Sequence, residues 1–166
     1  MNFDSPLSAF QHWESTTPNN IMFNQPFEDG MKTYTYKDAG KEIRKLANAI
    51  KTLNYPEKSK ITILSKNCAH WIMSDLAIQM AGHITVPIYP TINAESIYEI
   101  VDHSESKAAI VGKLDNYEAQ KAGLRDVFKI GVKAYGIDET ESWENMVATH
   151  EPMQDLPIQT PEELLT

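Results

Sequence analysis

Ile61-Thr62-Ile63-Leu64, Ile84-Thr85-Val86 and Ala108-Ala109-Ile110-Val111 are three short β-rich runs, each separated from the next by helix-forming sequence. Between the first two, residues 67–81 carry Trp71, Ile72, Leu76, Ala77 and Met80 on most helical faces, and Gly82 supplies a C-terminal stop. Between the second and third, Pro87 and Pro90 end the strand, and Asn93 caps a helix bearing Ile97, Ile100 and Val101. Gly112 closes the third run. Short β-branched strands alternating with helices of this length imply parallel pairing through right-handed crossovers. The expected fold is α/β: an open, mostly parallel sheet with helices on both faces, a three-layer sandwich of the doubly wound kind.

Outward from this block the signals are more local. A weaker helix over residues 114–122 leads to a strand expected within residues 128–135, and a last helix is expected around Trp143, Met146 and Val147. Residues 151–166 read as a polar, proline-containing tail. Upstream, Ser5 and Pro6 are a cap and first-turn proline for a short helix through Phe10 and Trp13, ended by Thr17-Pro18-Asn19-Asn20. Two extended runs, residues 21–23 and 32–35, flank Glu28-Asp29-Gly30, whose Asp-Gly pair suits a hairpin turn. Thr35 and Asp38 have capping-box spacing, and Ile43, Leu46, Ala47, Ile50 and Leu53 then fall on one face at 3.6-residue spacing. Lys41, Glu42, Arg44, Lys45 and Lys51 lie off that stripe, as expected of a helix on the surface of a sheet.

Composition bounds the function. The chain has 166 residues, 42% of them hydrophobic, which suits one domain with a real core. Fifteen basic against 23 acidic side chains give a formal charge of −8, the wrong sign for a general nucleic-acid binder. Cys68 is the single cysteine, so neither an intrachain disulfide nor a cysteine-rich zinc site is available. No run approaches the ~20 apolar residues of a membrane-spanning helix, and Met1-Asn2-Phe3-Asp4-Ser5-Pro6 carries no secretory signal. A cytoplasmic location is the expectation.

Candidate chemistry is sparse. None of the seven glycines forms a G-x-G-x-x-G or P-loop cluster; Gly112, the one directly after a strand, reads as a simple turn. Asp102-His103-Ser104 looks like a catalytic trio, but adjacent side chains on a helix diverge by about 100° and cannot relay a proton to one another. Cys68 and His70, two apart at a helix start, also point apart and read as a half-buried thiol and an ordinary polar residue. His83, just past a helix C-terminus, would favour the dipole if protonated, and His12 and His150 lack partners at metal spacing. Glu139-Thr140-Glu141 and Glu162-Glu163 read as solvated runs, and Trp71 and Met73 as parts of a core helix. No catalytic, cofactor-binding or metal-binding residue is assigned.

Two ordered segments resemble the core motifs of the adenylate-forming (AMP-binding) enzymes. Tyr34-Thr35-Tyr36-Lys37-Asp38, with Ile43, Leu46 and Ala47, is similar to the first motif, a Thr-Tyr pair leading into an amphipathic helix that ends in Leu-Ala. Asn67-Cys68-Ala69-His70-Trp71-Ile72, then Asp75-Leu76-Ala77, Ala81-Gly82 and Val86-Pro87-Ile88-Tyr89-Pro90, resembles the second. The Val-Pro-Ile-Tyr-Pro-Thr run is most like the long-chain fatty-acyl-CoA synthetase branch. Members often carry Arg-Pro-Glu-Trp where this chain has Cys68-Ala69-His70-Trp71, so no arginine role carries over. Gly40 stands where a larger helix former is common and should weaken the helix's first turn by about 1 kcal/mol relative to Ala.

The resemblance implies that residues 1–150 are the N-terminal part of an AMP-binding domain and residues 151–166 lead toward a phosphate-binding loop beyond Thr166. It implies a parent ligase that joins a fatty acid to coenzyme A through an acyl-adenylate, using ATP and Mg²⁺, with this stretch as a scaffold fragment inactive alone. The partners implied are the rest of the parent chain, fatty acid, ATP and CoA. A homodimer and peripheral attachment of the parent to a membrane are compatible with it. The alternative reading is a self-contained α/β interaction or oligomerisation module without catalysis, since a truncated open sheet leaves strand edges uncovered.

Overall fold

The computed structural model describes residues 3–154. Its centre is a five-stranded, wholly parallel sheet of β3 (Lys60–Leu64), β4 (Ile84–Ile88), β5 (Ala108–Val111), β6 (Phe128–Gly131) and β7 (Glu141–Ser142), in spatial order β4-β3-β5-β6-β7. Period-2 alternation divides its side chains between two cores. Ile61, Ile63, Ala108, Ile110 and Ile130 face one side, with the apolar stripes of α1 (Pro6–Thr16), α2 (Tyr36–Thr52), α3 (Ala69–Met80) and α6 (Trp143–Thr149). Leu64, Ile88, Ala109 and Val111 face the other, against Ile97 and Val101 of α4 (Ala94–Ser104) and Tyr117 of α5 (Tyr117–Gln120). The expected three-layer α/β sandwich is therefore observed.

The caps read from the sequence are formed. Ser5 Oγ accepts from the Ser8 amide at 3.1 Å, and Thr35 Oγ1 accepts from the Asp38 amide at 3.1 Å while Asp38 returns the bond to Thr35. Asn93 Oδ1 accepts from the Ser96 amide at 2.9 Å. At the end of α3, Gly82 takes φ +84°; its amide donates to Gln79 O and the His83 amide to Ile78 O, each at 3.0 Å, the two bonds of a Schellman cap. Cys68, at the start of α3, gives no side-chain cap. The Ala69 amide donates instead to Oε1 of buried Gln25 at 2.8 Å, tying α3 to the hairpin of β1 (Ile21–Phe27) and β2 (Gly30–Thr35).

Several elements depart from expectation. The hairpin strands are longer than the sequence suggested, because Phe27 pairs with Gly30 across a two-residue Glu28-Asp29 turn and Gly30 adopts φ +145°. β4 runs through Pro87 to Ile88; it is an edge strand, where a missing amide costs no ladder bond. The helix expected at 114–122 is one α-turn, Tyr117–Gln120, continuing as a 3₁₀ turn over Lys121–Leu124, with Gly123 pressed against the Ala94 carbonyl and Ile97. The strand window 128–135 splits into β6 and a 3₁₀ turn, Lys133–Tyr135. β7, only two residues long, was not anticipated.

The start of the expected tail is docked rather than free: the Met153 amide donates to Arg44 O at 3.1 Å, and Asn48 Nδ2 to Glu151 O at 2.9 Å. Glu162-Glu163 and the rest of residues 155–166 lie outside the described residues. Among the described residues no helix is long and apolar enough to cross a membrane.

Gly40 corrects the expectation of a merely weakened helix. A methyl group there would overlap the carboxylate of Glu14, which is held in place by Nε of Arg44 at 3.2 Å and by its Nη2. The glycine makes room for an ion pair joining α1 to α2. Gly40→Ala is therefore expected to lower stability, although helix propensity alone favours it by about 1 kcal/mol. In a Glu14→Ala background the same change should become stabilising, a sign reversal that urea denaturation of the four variants would read.

Candidate functional site

The strand order has the form 2-1-3-4-5, so the direction of winding reverses between β3 and β5. Ligands of open α/β sheets bind outside the strand C-termini at such a switch point. Here the two ends are closed on each other. The Gly112 amide donates to Leu64 O at 3.0 Å and the Lys66 amide to Lys113 O at 2.8 Å. The Lys113 amide donates to Ser65 Oγ at 2.9 Å, and that hydroxyl donates to Lys66 O at 2.7 Å. Gly112 is more than the simple turn the sequence suggested: a Cβ would lie 2.5 Å from Ser65 Oγ and 2.8 Å from Ser65 Cβ. These amides are spent within the fold, as is the first amide of α3, which is held by Gln25, so they do not cradle a phosphate. Among the described residues, no three His, Cys, Asp or Glu side chains converge.

A broad concavity lies to one side of the switch point, a cleft of about 1380 Å³ walled by the hairpin, α2, residues 134–136 and α6. Its floor is aromatic. His70, only 4% exposed, sits 5.1 Å from the Trp143 ring and 5.2 Å from Tyr135, with Tyr34 and Phe27 at 6.2 and 6.4 Å, all edge-on. Its Nδ1 is 2.9 Å from the Tyr135 hydroxyl. Burial, reinforced by the Lys32 charge, pushes the imidazole down to about 4. Burial also raises the Tyr135 and Tyr34 phenols. His70 is thus a neutral member of an aromatic cluster, not the ordinary polar residue the sequence suggested.

The rim charges largely have partners. Lys32 pairs with Glu42 at 3.4 Å and lies 4.3 Å over the Tyr34 ring, while Trp143 Nε1 donates to Glu42 at 3.4 Å. Lys45 Nζ donates to Val147 O at 3.0 Å, and Glu144 accepts from the Lys133 and Ala134 amides at 3.1 and 3.0 Å. Tyr34 is buried, with Lys32 as its polar neighbour.

The remaining candidates lie apart from this cleft. Asp102, His103 and Ser104 end α4, where Ser104 Oγ donates to Val101 O at 3.2 Å. His83 is buried beside Tyr55, and burial lowers its pKa, so it does not exploit the helix dipole at neutral pH. Glu139 is not solvated: its carboxylate accepts from the Tyr117 hydroxyl at 2.6 Å and from Lys121 at 2.9 Å. Burial is the largest influence on it and acts upward, yet those two partners together hold it below the usual carboxylate range. His12 stacks among Phe3 and Trp13, and His150 contacts Met146 O and Thr149. Met73 is core, as read, and Trp71 packs at its margin.

A parallel sheet with this winding defines a doubly wound α/β fold, and comparison with known proteins specifies the family. The model of the AMP-binding enzymes matches residues 10–165, and the chain belongs to that family. It is 29% identical over 191 residues to long chain acyl-CoA synthetase 5 of Arabidopsis thaliana, covering 99% of this chain and 29% of that protein. It is 26% identical over 116 residues to the long-chain-fatty-acid–CoA ligase FadD15 of Mycobacterium bovis, covering 70% of this chain and 19% of that one. A benzoate CoA ligase from Burkholderia xenovorans superposes with a TM-score of 0.73 at 16% identity, over 96% of this chain and 30% of the ligase, a likeness of fold. The chain spans less than a third of the length of these relatives.

Two outcomes follow from this geometry. A histidine held at about 4, against an ordinary 6.5, supports the fold fully above pH 6.5 and loses that support as pH falls toward 4. Wild type should lose about 2–3 kcal/mol more than His70→Gln between pH 7 and pH 4, read by urea denaturation at both values. Gly112→Ala should cost about 1–3 kcal/mol, and Ser65→Gly in the same chain should recover part of it, since Ser65 is what the new methyl meets.

Proposed function

We propose that this chain is the N-terminal scaffold of a longer ATP-dependent long-chain acyl-CoA synthetase and has no ligase activity by itself. In the reaction proposed for the parent, a fatty carboxylate oxygen attacks the α-phosphorus of ATP, forming an acyl-adenylate and releasing pyrophosphate. The coenzyme A thiol then attacks the acyl carbon, losing its proton as AMP departs with the carbonyl-to-oxygen bond. Adenylation is needed because a carboxylate is a poor electrophile until one oxygen belongs to a good leaving group. ATP, Mg²⁺ and coenzyme A are the reactants and cation of the parent, and the proposed parent is cytoplasmic, in keeping with one unpaired cysteine, Cys68.

The observation that carries the proposal is the family match over residues 10–165 in a chain whose switch-point amides are already spent. Phosphoryl chemistry is stabilised chiefly by preorganised donors and a cation around the phosphates, and the bonded amides at the switch point are not free to act as such donors. What the described residues do supply is a two-faced sheet and a cleft walled by the hairpin, α2 and α6. The relatives named for long-chain acyl-CoA synthesis support the substrate class.

Fatty-acid-dependent ATP–pyrophosphate exchange is the test. The purified 166-residue chain should show none, and the parent encoded by the continuous reading frame should show it with long-chain fatty acids. Exchange by the chain alone would overturn the scaffold reading, and an inactive parent, or a frame that does not continue, would overturn the ligase reading.

A further inference from the structure

We propose that Asp29-Gly30, at the turn of the hairpin, is a self-modifying site, where the main chain rearranges through a cyclic imide into an isoaspartyl linkage. The reaction needs only water, so it is independent of what the parent protein catalyses.

Access to the side-chain carbon comes first. Asp29 is the one aspartate in the sequence followed by glycine, and no asparagine precedes one. Ring closure brings a backbone nitrogen onto the side-chain carbon of the residue before it, and a Cβ on the attacking residue obstructs that approach. Gly30 has none, stands at φ +145°, and nothing beyond its chain neighbours lies within 4 Å of where a Cβ would be. Freedom of the carboxyl group comes second. Glu28, Asp29 and Gly30 are all exposed, and among the described residues no hydrogen bond or ion pair holds the Asp29 side chain. Other aspartates are restrained: Asp38 is bonded to Thr35, Asp75 accepts from Thr85 Oγ1 at 2.7 Å, and Asp115 pairs with Lys66. Gly30 itself belongs to the last pair of the ladder, Phe27–Gly30, where local opening is easiest.

The Gly30 nitrogen attacks Cγ of the protonated Asp29 carboxyl group. The nitrogen–Cγ bond forms, and the amide proton leaves with the carboxyl hydroxyl as water. A water molecule then opens the imide. Opening at Cγ restores aspartate, whereas breaking the bond from the Asp29 carbonyl carbon to the Gly30 nitrogen frees an α-carboxylate and leaves the chain running through Cγ. The main chain thereby gains a methylene group inside the turn that fixes the register of the hairpin. That register positions Gln25, whose Oε1 holds the Ala69 amide at 2.8 Å, and Phe27, stacked 5.5 Å from Tyr135. A change at the turn therefore reaches the start of α3.

Peptide mapping tests this without reference to activity. The purified 166-residue chain is kept folded at neutral pH and physiological temperature and digested at intervals. Isoaspartate is scored by enzymatic isoaspartyl methylation and by chromatography coupled to mass spectrometry. Position 29 should gain it at least ~10-fold faster than any other aspartate, exposed Asp126 included, because glycine alone leaves the approach unobstructed. Asp29→Glu, whose longer side chain closes a less favourable ring, should bring that peptide to background. Aged chain enriched in the isoaspartyl form should exchange its Ala69 amide faster than fresh chain. Accumulation at position 29 no faster than at Asp126 would overturn the proposal. So would accumulation in the urea-unfolded chain alone, since the folded turn would then be protected. Unchanged exchange at Ala69 would overturn the coupling to α3.

Discussion

Burial of β3 on both faces is the constraint on which the rest of the molecule depends. Ile61 and Ile63 enter one core and Leu64 the other, and the one polar residue among them, Thr62, donates its hydroxyl to Ser106 Oγ at 2.9 Å. A strand buried this way needs a helical layer above and below it. The chain meets that need by crossing from β3 to β4 through α3 on one face and from β4 to β5 through α4 on the other. With crossovers of one hand, opposite faces mean opposite directions along the sheet, so β4 and β5 land on either side of β3. The switch point is thus a by-product of covering one central strand twice.

What the chain does with that switch point differs from a phosphate-gripping turn. In folds that grip phosphate there, glycines hold the backbone open so that amides point outward. Here Gly112 has the reverse use: lacking a side chain, it lets the β5 end collapse onto Ser65, and the amides turn inward. The concavity is displaced sideways, beneath the hairpin, where aromatic rings from four separate stretches enclose His70. Such a histidine carries no charge at neutral pH. Its role is to let a helix end pack against aromatic surface without burying an ion.

Local features were legible in the sequence and remote ones were not. The capping box of Thr35 and Asp38, the stripe on α2, the Gly82 stop and the three central strands each depend on residues within a turn or two of one another, and all were found. The purpose of Gly40 depends on Glu14, twenty-six positions away, and that of Gly112 on Ser65, forty-seven away; no periodicity links such pairs. His70 fails for the same reason, because Phe27, Tyr34, Tyr135 and Trp143 converge on it only once the sheet has formed. Glu139 read as solvated because its neighbours are polar, whereas its carboxylate is enclosed by Tyr117 and Lys121 from the preceding crossover. That β4 could run through Pro87 follows from its edge position, a property of the assembled sheet.

Helix α2, the clearest element of the sequence, is also where the remote parts meet. Glu14 of α1 reaches Arg44, Lys32 of the hairpin reaches Glu42, Trp143 of α6 donates to that same Glu42, and Lys45 and Asn48 donate to carbonyls at 147 and 151. The exposed members of this row contribute about 0–1 kcal/mol each and the more shielded Glu14–Arg44 pair somewhat more, all less than the buried stripe of Ile43, Leu46 and Ile50 beneath them. Adhesion therefore comes from the apolar face. The polar row acts on geometry: it fixes the angle at which the hairpin and α6 stand away from α2, and so the width of the cleft between them.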